Sequence, residues 1–153
     1  MQITWFGHSA FRLDFAGKPP ATDFEVVVNV ESWVGNEQSA QRALRINLQV
    51  EAGKVCSWQV SAAKPAQSLA TSEKPTQEAK IAFARNFEFR LPLAWLDAPF
   101  APAGGDGKST SPAASKLRLR FSLWQNHLPT DALPLEGWIE LQLFGEQDLM
   151  ALA

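Results

Sequence analysis

The sequence predicts an all-β chain folded as a single antiparallel sandwich of about eight strands. Three observations carry that expectation. Apolar and polar residues alternate with a period of two through most of the chain, which is the pattern of strands with one buried and one wet face. The runs are about the length of ordinary strands and are separated by Gly, Pro, Asn and Ser clusters. Only residues 93–97, just after Pro92, offer a helical turn.

Taken in order, Phe11, Leu13 and Phe15 alternate with Arg12 and Asp14. Phe24, Val26, Val28 and Val30 share one face of the next run, with Glu25, Val27, Asn29 and Glu31 opposite. Leu44, Ile46, Leu48 and Val50 repeat the pattern against Arg45, Asn47, Gln49 and Glu51. Ala52-Gly53 then supplies a tight turn, so residues 43–61 read as a β-hairpin. Phe83, Phe87, Phe89 and Leu91 are in phase, with Arg85, Glu88 and Arg90 outward. Leu117, Leu119, Phe121 and Leu123 oppose Arg118, Arg120, Ser122 and Trp124, and a last run sets Ile139, Leu141 and Leu143 against Trp138, Glu140 and Gln142. Residues 62–80 and 98–115 are small, polar and turn-rich and read as long loops inside one domain, because too few strands flank them to fold apart.

At 153 residues and 46% hydrophobic content the chain can bury a full core. The net charge of −2, with interspersed signs and no basic run, argues against nucleic acid and anionic membranes as partners. Ten Phe and six Trp stand beside no tyrosine. The opening residues alternate and include His8 and Arg12, so no signal peptide is expected and the expected location is cytoplasmic. The single cysteine, Cys56, excludes an internal disulfide and a Cys-based zinc site. It is in phase with Trp58 and Val60 and is expected to be a buried, inert thiol.

Catalytic material is sparse. His8 and His127 are the only histidines, and neither has a ligand partner at metal-site spacing. His127 and Asp131 lie close enough to pair within one loop, and a solvated loop histidine is the competing reading. There is no nucleophile elbow, phosphate loop or dinucleotide fingerprint. Gly104-Gly105-Asp106-Gly107 lacks the strand-to-helix context of a phosphate cradle. Glu25, Glu31, Glu51, Glu88 and Glu140 all fall on solvent faces of strands. The expectation is a chain that is not an enzyme, with no metal and no cofactor.

The tryptophans separate by phase. Trp58 reads as core, Trp95 as a plug at one end of the sandwich, and Trp5 and Trp33 as strand-end residues. Trp124 and Trp138 fall on the polar face, at the edges of a loop punctuated by Pro129 and Pro134. If residues 125–137 close a symmetric hairpin, the two indoles stand opposite each other. They are then either a stabilising cross-strand pair under a folded-back loop or a platform for the C–H faces of a sugar. On the second reading Glu140, Arg120, Gln125 and Asn126 supply hydrogen bonds at its rim.

Two resemblances add to this reading. Residues 1–18, with Gly7-His8-Ser9 between two strands, resemble the opening hairpin of metal-dependent hydrolases of the metallo-β-lactamase superfamily. The His-x-His-x-Asp-His run of that family's metal site is missing here. From Asp23 onward the chain resembles the C-terminal β-sandwich that follows the catalytic barrel of some family 57 glycoside hydrolases. The residues that carry it are Asp23-Phe-Glu-Val-Val-Val-Asn-Val-Glu and Phe87-Glu-Phe-Arg-Leu-Pro-Leu-Ala-Trp-Leu. Leu119-Arg-Phe-Ser-Leu-Trp-Gln-Asn-His-Leu-Pro and Leu133-Pro-Leu-Glu-Gly-Trp-Ile-Glu-Leu complete the set. The same order of strands and turns is similar to carbohydrate- and haem-binding sandwiches of the DOMON type. Met1 and Met150, near the two ends, are poorly placed as haem ligands. The resemblance implies an accessory, non-catalytic module binding an oligosaccharide such as an α-glucan. Its alternative is a structural sandwich that packs against a catalytic domain or a second copy of itself.

Overall fold

Alternating sequences bury their apolar face only when a second layer covers it, and here two antiparallel sheets do this for each other. The structure, a computed structural model, describes residues 1–6, 10–15, 17–34, 37–38, 41–63, 66–76, 79–96 and 116–142. The smaller sheet has the order β1-β2-β9-β8, from β1 (Gln2–Trp5), β2 (Ala10–Asp14), β8 (Lys80–Phe83) and β9 (Phe87–Arg90). The larger runs β11-β10-β3-β5-β6-β7. Its strands are β3 (Phe24–Val34), β5 (Arg42–Glu51), β6 (Lys54–Ala63), β7 (Ala66–Thr71), β10 (Lys116–Gln125) and β11 (Leu128–Leu133). Two short strands extend it: β4 (Glu37–Gln38) on β3, and β12 (Ile139–Gln142) on β10 beyond the end of β11. The chain is therefore all-β and sandwich-like, as the alternation predicts.

The inward residues are the predicted ones. Phe24, Val26, Val28, Leu44, Ile46, Leu48, Phe87, Phe89, Leu119, Phe121 and Leu123 are all buried. Seven phenylalanines form one connected set of rings across the interface between the sheets. Phe11, Phe89 and Phe87 stack along the small sheet at centroid distances of 5.4 and 5.1 Å. Phe121 reaches across from β10 to Phe11 at 5.4 Å and Phe89 at 6.1 Å. Phe24, on β3, meets Phe87 at 5.8 Å, Phe83 at 5.1 Å and Phe15 at 6.2 Å. Such pairs contribute about 0.5–1.5 kcal/mol each beyond area burial. The N-terminal hairpin is thus part of the core, with Phe11 and Leu13 buried. The helical turn expected after Pro92 forms as α1 (Leu93–Leu96). Arg42 holds it, its Nη2 donating to the Leu96 carbonyl at 2.6 Å. Leu96 is buried, and Trp95 packs against the core from this end.

Four expectations are corrected. Among the described residues there are twelve strands rather than about eight. Phe83 and Phe87 do not share a strand: Ala84, Arg85 and Asn86 form a turn, and the two rings are cross-strand partners of a β8–β9 hairpin. An even separation across a short turn imitates alternation along one strand. Residues 62–80 are not one loop, because β6 continues to Ala63 and β7 follows. As an edge strand, β7 needs few apolar residues, and Gln67 and Ser68 stay exposed while Ala70 is buried. The segment 98–115 lies outside the described residues.

The fourth correction is Cys56, which is exposed. The hairpin turns at Ala52-Gly53 as predicted, both with left-handed φ (50° and 74°). The register then shifts, with Val50 opposite Val55 but Gln49 opposite Ser57. Cys56 is the extra residue of a β-bulge, which turns Val55 toward the core and the thiol outward.

Truncating Phe121 or Phe11 to Ala should cost about 3–5 kcal/mol in chemical denaturation. Gln67→Ala on the edge strand should cost about 0.5 kcal/mol or less. A mild effect at Phe11 would detach the hairpin from the core. Replacing Ala52 by Asn, which tolerates left-handed φ, should stabilise the protein by about 0.5–1 kcal/mol. The native thiol should titrate fully with an aromatic disulfide reagent. Reaction only in denaturant would place Cys56 inside.

Candidate functional site

With the inner faces filled, chemistry is left to the outer face of the large sheet. Glu25, Asn29 and Glu31 on β3, Arg45, Asn47 and Gln49 on β5, and Arg118, Arg120, Ser122 and Trp124 on β10 alternate outward there. The register sets them in rows, with Trp124 beside Glu25 and Glu25 beside Asn47. Ser122, Val27 and Arg45 form the next row. Val27 faces outward and is nevertheless buried, so outer-face side chains cover it.

A groove of about 510 Å³ opens over the Trp124 end of this face. Trp124, Glu25, Arg45, Asn47, Asn126 and His127 are among its walls. The β10–β11 hairpin that closes it turns on Asn126 and His127 alone, with φ of 50° and 62°. Asn accepts that left-handed conformation readily, so the turn needs no glycine. Next to the turn the register shifts: Trp124 pairs with Pro129 and Leu123 with Asp131, leaving Thr130 as the extra residue. A proline cannot donate to the ladder and is tolerated at such an edge bulge, and bulges re-aim neighbouring side chains.

Trp124 is half-buried and held. Its Nε1 donates to Ser122 Oγ at 2.9 Å. Because Ser122 lies two residues back on the same face, the indole leans along β10 instead of standing off the sheet. Glu25 and Arg45 form an ion pair at 2.8 Å inside the groove, and Asp23 Oδ1 accepts from the Val50 amide at 2.8 Å. A flat aromatic face, a carboxylate–guanidinium pair and the Asn47 and Asn126 amides therefore converge on one concavity. A second hollow, about 640 Å³, lies at the end of the small sheet. Apolar side chains such as Phe11, Phe89 and Ile81 wall it, and the charged residues that line it, Lys80, Glu88 and Arg90, are themselves exposed. The groove offers the more convergent polar groups, which is the better mark of a binding site.

The predicted site residues do not stay together. Trp124, Gln125 and Asn126 sit at the hairpin end, with Trp124 and Asn126 lining the groove. Trp138 lies elsewhere. It precedes Ile139, the partner of Leu119, and so falls four to five residues from Trp124 along β10, roughly 13–16 Å. The expected symmetric hairpin over 125–137 is not formed, because β11 occupies Leu128–Leu133. Arg120 Nη2 donates to the Leu135 carbonyl at 2.9 Å and holds the segment between β11 and β12. Glu140 is bound by Arg118 and faces Lys116 at 4.0 Å. Both cations also lie 4.7 Å from the ring centre of Trp33, a cation–π arrangement that uses Trp33 structurally. Asp131 takes the Ala132 amide and the Met1 ammonium instead of pairing with His127.

Sequence reasoning missed Glu25, Arg45, Asn47 and His127 as groove residues. Their signal was available: three lie on the polar face of adjacent strands, and only the register that aligns them with Trp124 was hidden. Among the described residues, no group of three or more His, Cys, Asp or Glu side chains comes together as a metal site would require. His8 lies outside the described residues. In comparison with known proteins, no family model, no curated protein and no solved structure matches the chain.

Arg120→Ala should lower stability by about 1 kcal/mol, the value of one hydrogen bond to a charged donor at an exposed site. It should leave the fluorescence of Trp124 in place, since Arg120 lies four residues away at the middle of β10 and holds Leu135. A strong change in Trp124 emission would show that the two positions are coupled.

Proposed function

We propose that the chain is a non-catalytic sandwich module that binds an oligosaccharide in the groove over Trp124. The observation that carries this reading is the anchored indole lying along the sheet beside the Glu25–Arg45 pair and the Asn47 amide. Sugars are recognised by this combination. The axial C–H face packs on an aromatic ring, while planar amide, carboxylate and guanidinium groups bind adjacent hydroxyls. The resemblance to accessory sandwiches of glycoside hydrolases supports the same class of ligand. The expected platform of two indoles is reduced to one: Trp138 lies away from the groove, and Arg120 and Glu140 hold the β11–β12 segment.

A single stacking contact with a few rim hydrogen bonds gives weak binding, with a Kd on the order of 1 mM for a disaccharide. Maltose and cellobiose should be titrated against intrinsic tryptophan fluorescence. Trp124→Ala should abolish any quenching, and Glu25→Gln should weaken it several-fold, while both variants retain a cooperative melt. Absence of saturable quenching by either sugar at tens of millimolar would return the chain to a structural role. A several-degree fall in Tm for Trp124→Ala without any sugar effect would point the same way.

A further inference from the structure

We infer that the groove is one end of a track for an extended, linear oligosaccharide that crosses the strands at right angles. The inference rests on the proposed sugar-binding reading and specifies how the ligand lies. Its basis is a single row in the register of the large sheet: Trp124 pairs with Glu25, Glu25 with Asn47, Asn47 with Gln59, and Gln59 with Thr71. The row runs without interruption over β10, β3, β5, β6 and β7. It begins with an aromatic ring and continues with a carboxylate, two amides and a hydroxyl. Each of these can bind a sugar hydroxyl, and none carries a positive charge that would select for an anion.

The spacing is the physical argument. Neighbouring strands lie about 4.8 Å apart, so five strands place the ends of the row roughly 19 Å apart. One hexose in an extended, equatorially linked chain advances by close to one strand spacing. Such a chain laid across the sheet therefore meets one new polar side chain per sugar, over about four sugars. A helical, axially linked chain would turn away from the row after one or two units. Among the described residues nothing holds the Asn47 amide, whereas Glu25 and Gln59 on either side of it are each held by a neighbour. Gln59 Nε2 donates to Ser68 Oγ at 3.1 Å, and Arg45 is bound to Glu25 at 2.8 Å. These neighbouring contacts fix the directions in which the Gln59 amide and the Glu25 carboxylate point. The Asn126-His127 turn walls the groove at its Trp124 end, and from there the row runs on to the edge strand β7.

The test is calorimetric titration of the intact chain with cello-oligosaccharides and malto-oligosaccharides of two to six units. In the cello series, affinity should rise several-fold with each added unit to about four and then level off. The malto series should level off after the disaccharide. Gln59→Ala should flatten the cello curve at its longer end, and Asn47→Ala should flatten it from the disaccharide onward. Circular dichroism melts confirm that each variant is folded. A cello series with the same affinity at every length overturns the track and leaves the Trp124 platform standing. So does a length-dependent malto series beside a flat cello series. Failure of every oligosaccharide to bind overturns both the track and the proposed function.

Discussion

The ring contacts between the two sheets are the constraint on which the rest of this structure depends. The small sheet has only four short strands, and most of its hydrogen bonds serve itself. It is held to the large sheet by side chains, chiefly Phe121 against Phe11 and Phe89, and Phe24 against Phe83 and Phe87. Because β1 and β2 come from the first residues, and β8 and β9 from the middle of the chain, these contacts also join distant parts of the sequence. The lack of tyrosine fits this core. A phenolic hydroxyl at Phe87, Phe89 or Phe121, each at most a few per cent exposed, would be buried and would need a partner that the surrounding Leu and Val side chains cannot provide.

Once that interface is filled, the two faces of the large sheet have opposite tasks. Its inner face is specified by packing, and a slip of one residue would expose all of it. The outer face carries no such obligation, yet it is not a random polar surface. Two aromatic groups stand on it at opposite ends and are held in different ways. Trp33 lies under the cations Lys116 and Arg118, which also bind Glu140 and thereby pin β12. Trp124 is tethered by its nitrogen to Ser122 and lines the groove, with no cation over its ring among the described residues. One indole stabilises an edge and the other lines a concavity.

The sequence made the layer architecture legible, since the core depends on alternation and alternation is a local signal. The Ala52-Gly53 turn was legible for a similar reason: two adjacent residues suffice to reverse the chain. Bulges, register and turns without glycine were not. Cys56 looked buried because phase was counted along an unbroken strand, and one inserted residue inverts every side chain beyond it. Phe83 and Phe87 looked collinear because a turn preserved their parity. The Pro129 and Pro134 signals suggested a loop, but an edge strand tolerates proline where a central strand does not. Of the proposed site, Trp124 could be read from phase, and Asn126 from its place two residues further along the chain. Glu25, Arg45 and Asn47 could be recognised as outward but not as neighbours of Trp124, because adjacency in a sheet is decided by pairing between segments far apart in sequence.

That difference explains why the tryptophan pair came apart. Placing Trp124 opposite Trp138 assumed one long loop between two strands. The chain instead reverses at once over Asn126 and His127, runs back as β11, and only then leads through residues 134–138 into β12 along the same edge. A tight turn keeps β11 against β10 and builds the groove wall beside Trp124. A long loop would have brought the second indole there and removed the wall. The compact hairpin thus exchanges a second stacking surface for a bounded concavity next to polar strands. On the sugar-binding reading proposed above, selectivity comes from the row of groups across β3, β5 and β6, and the single aromatic ring sets where that row begins.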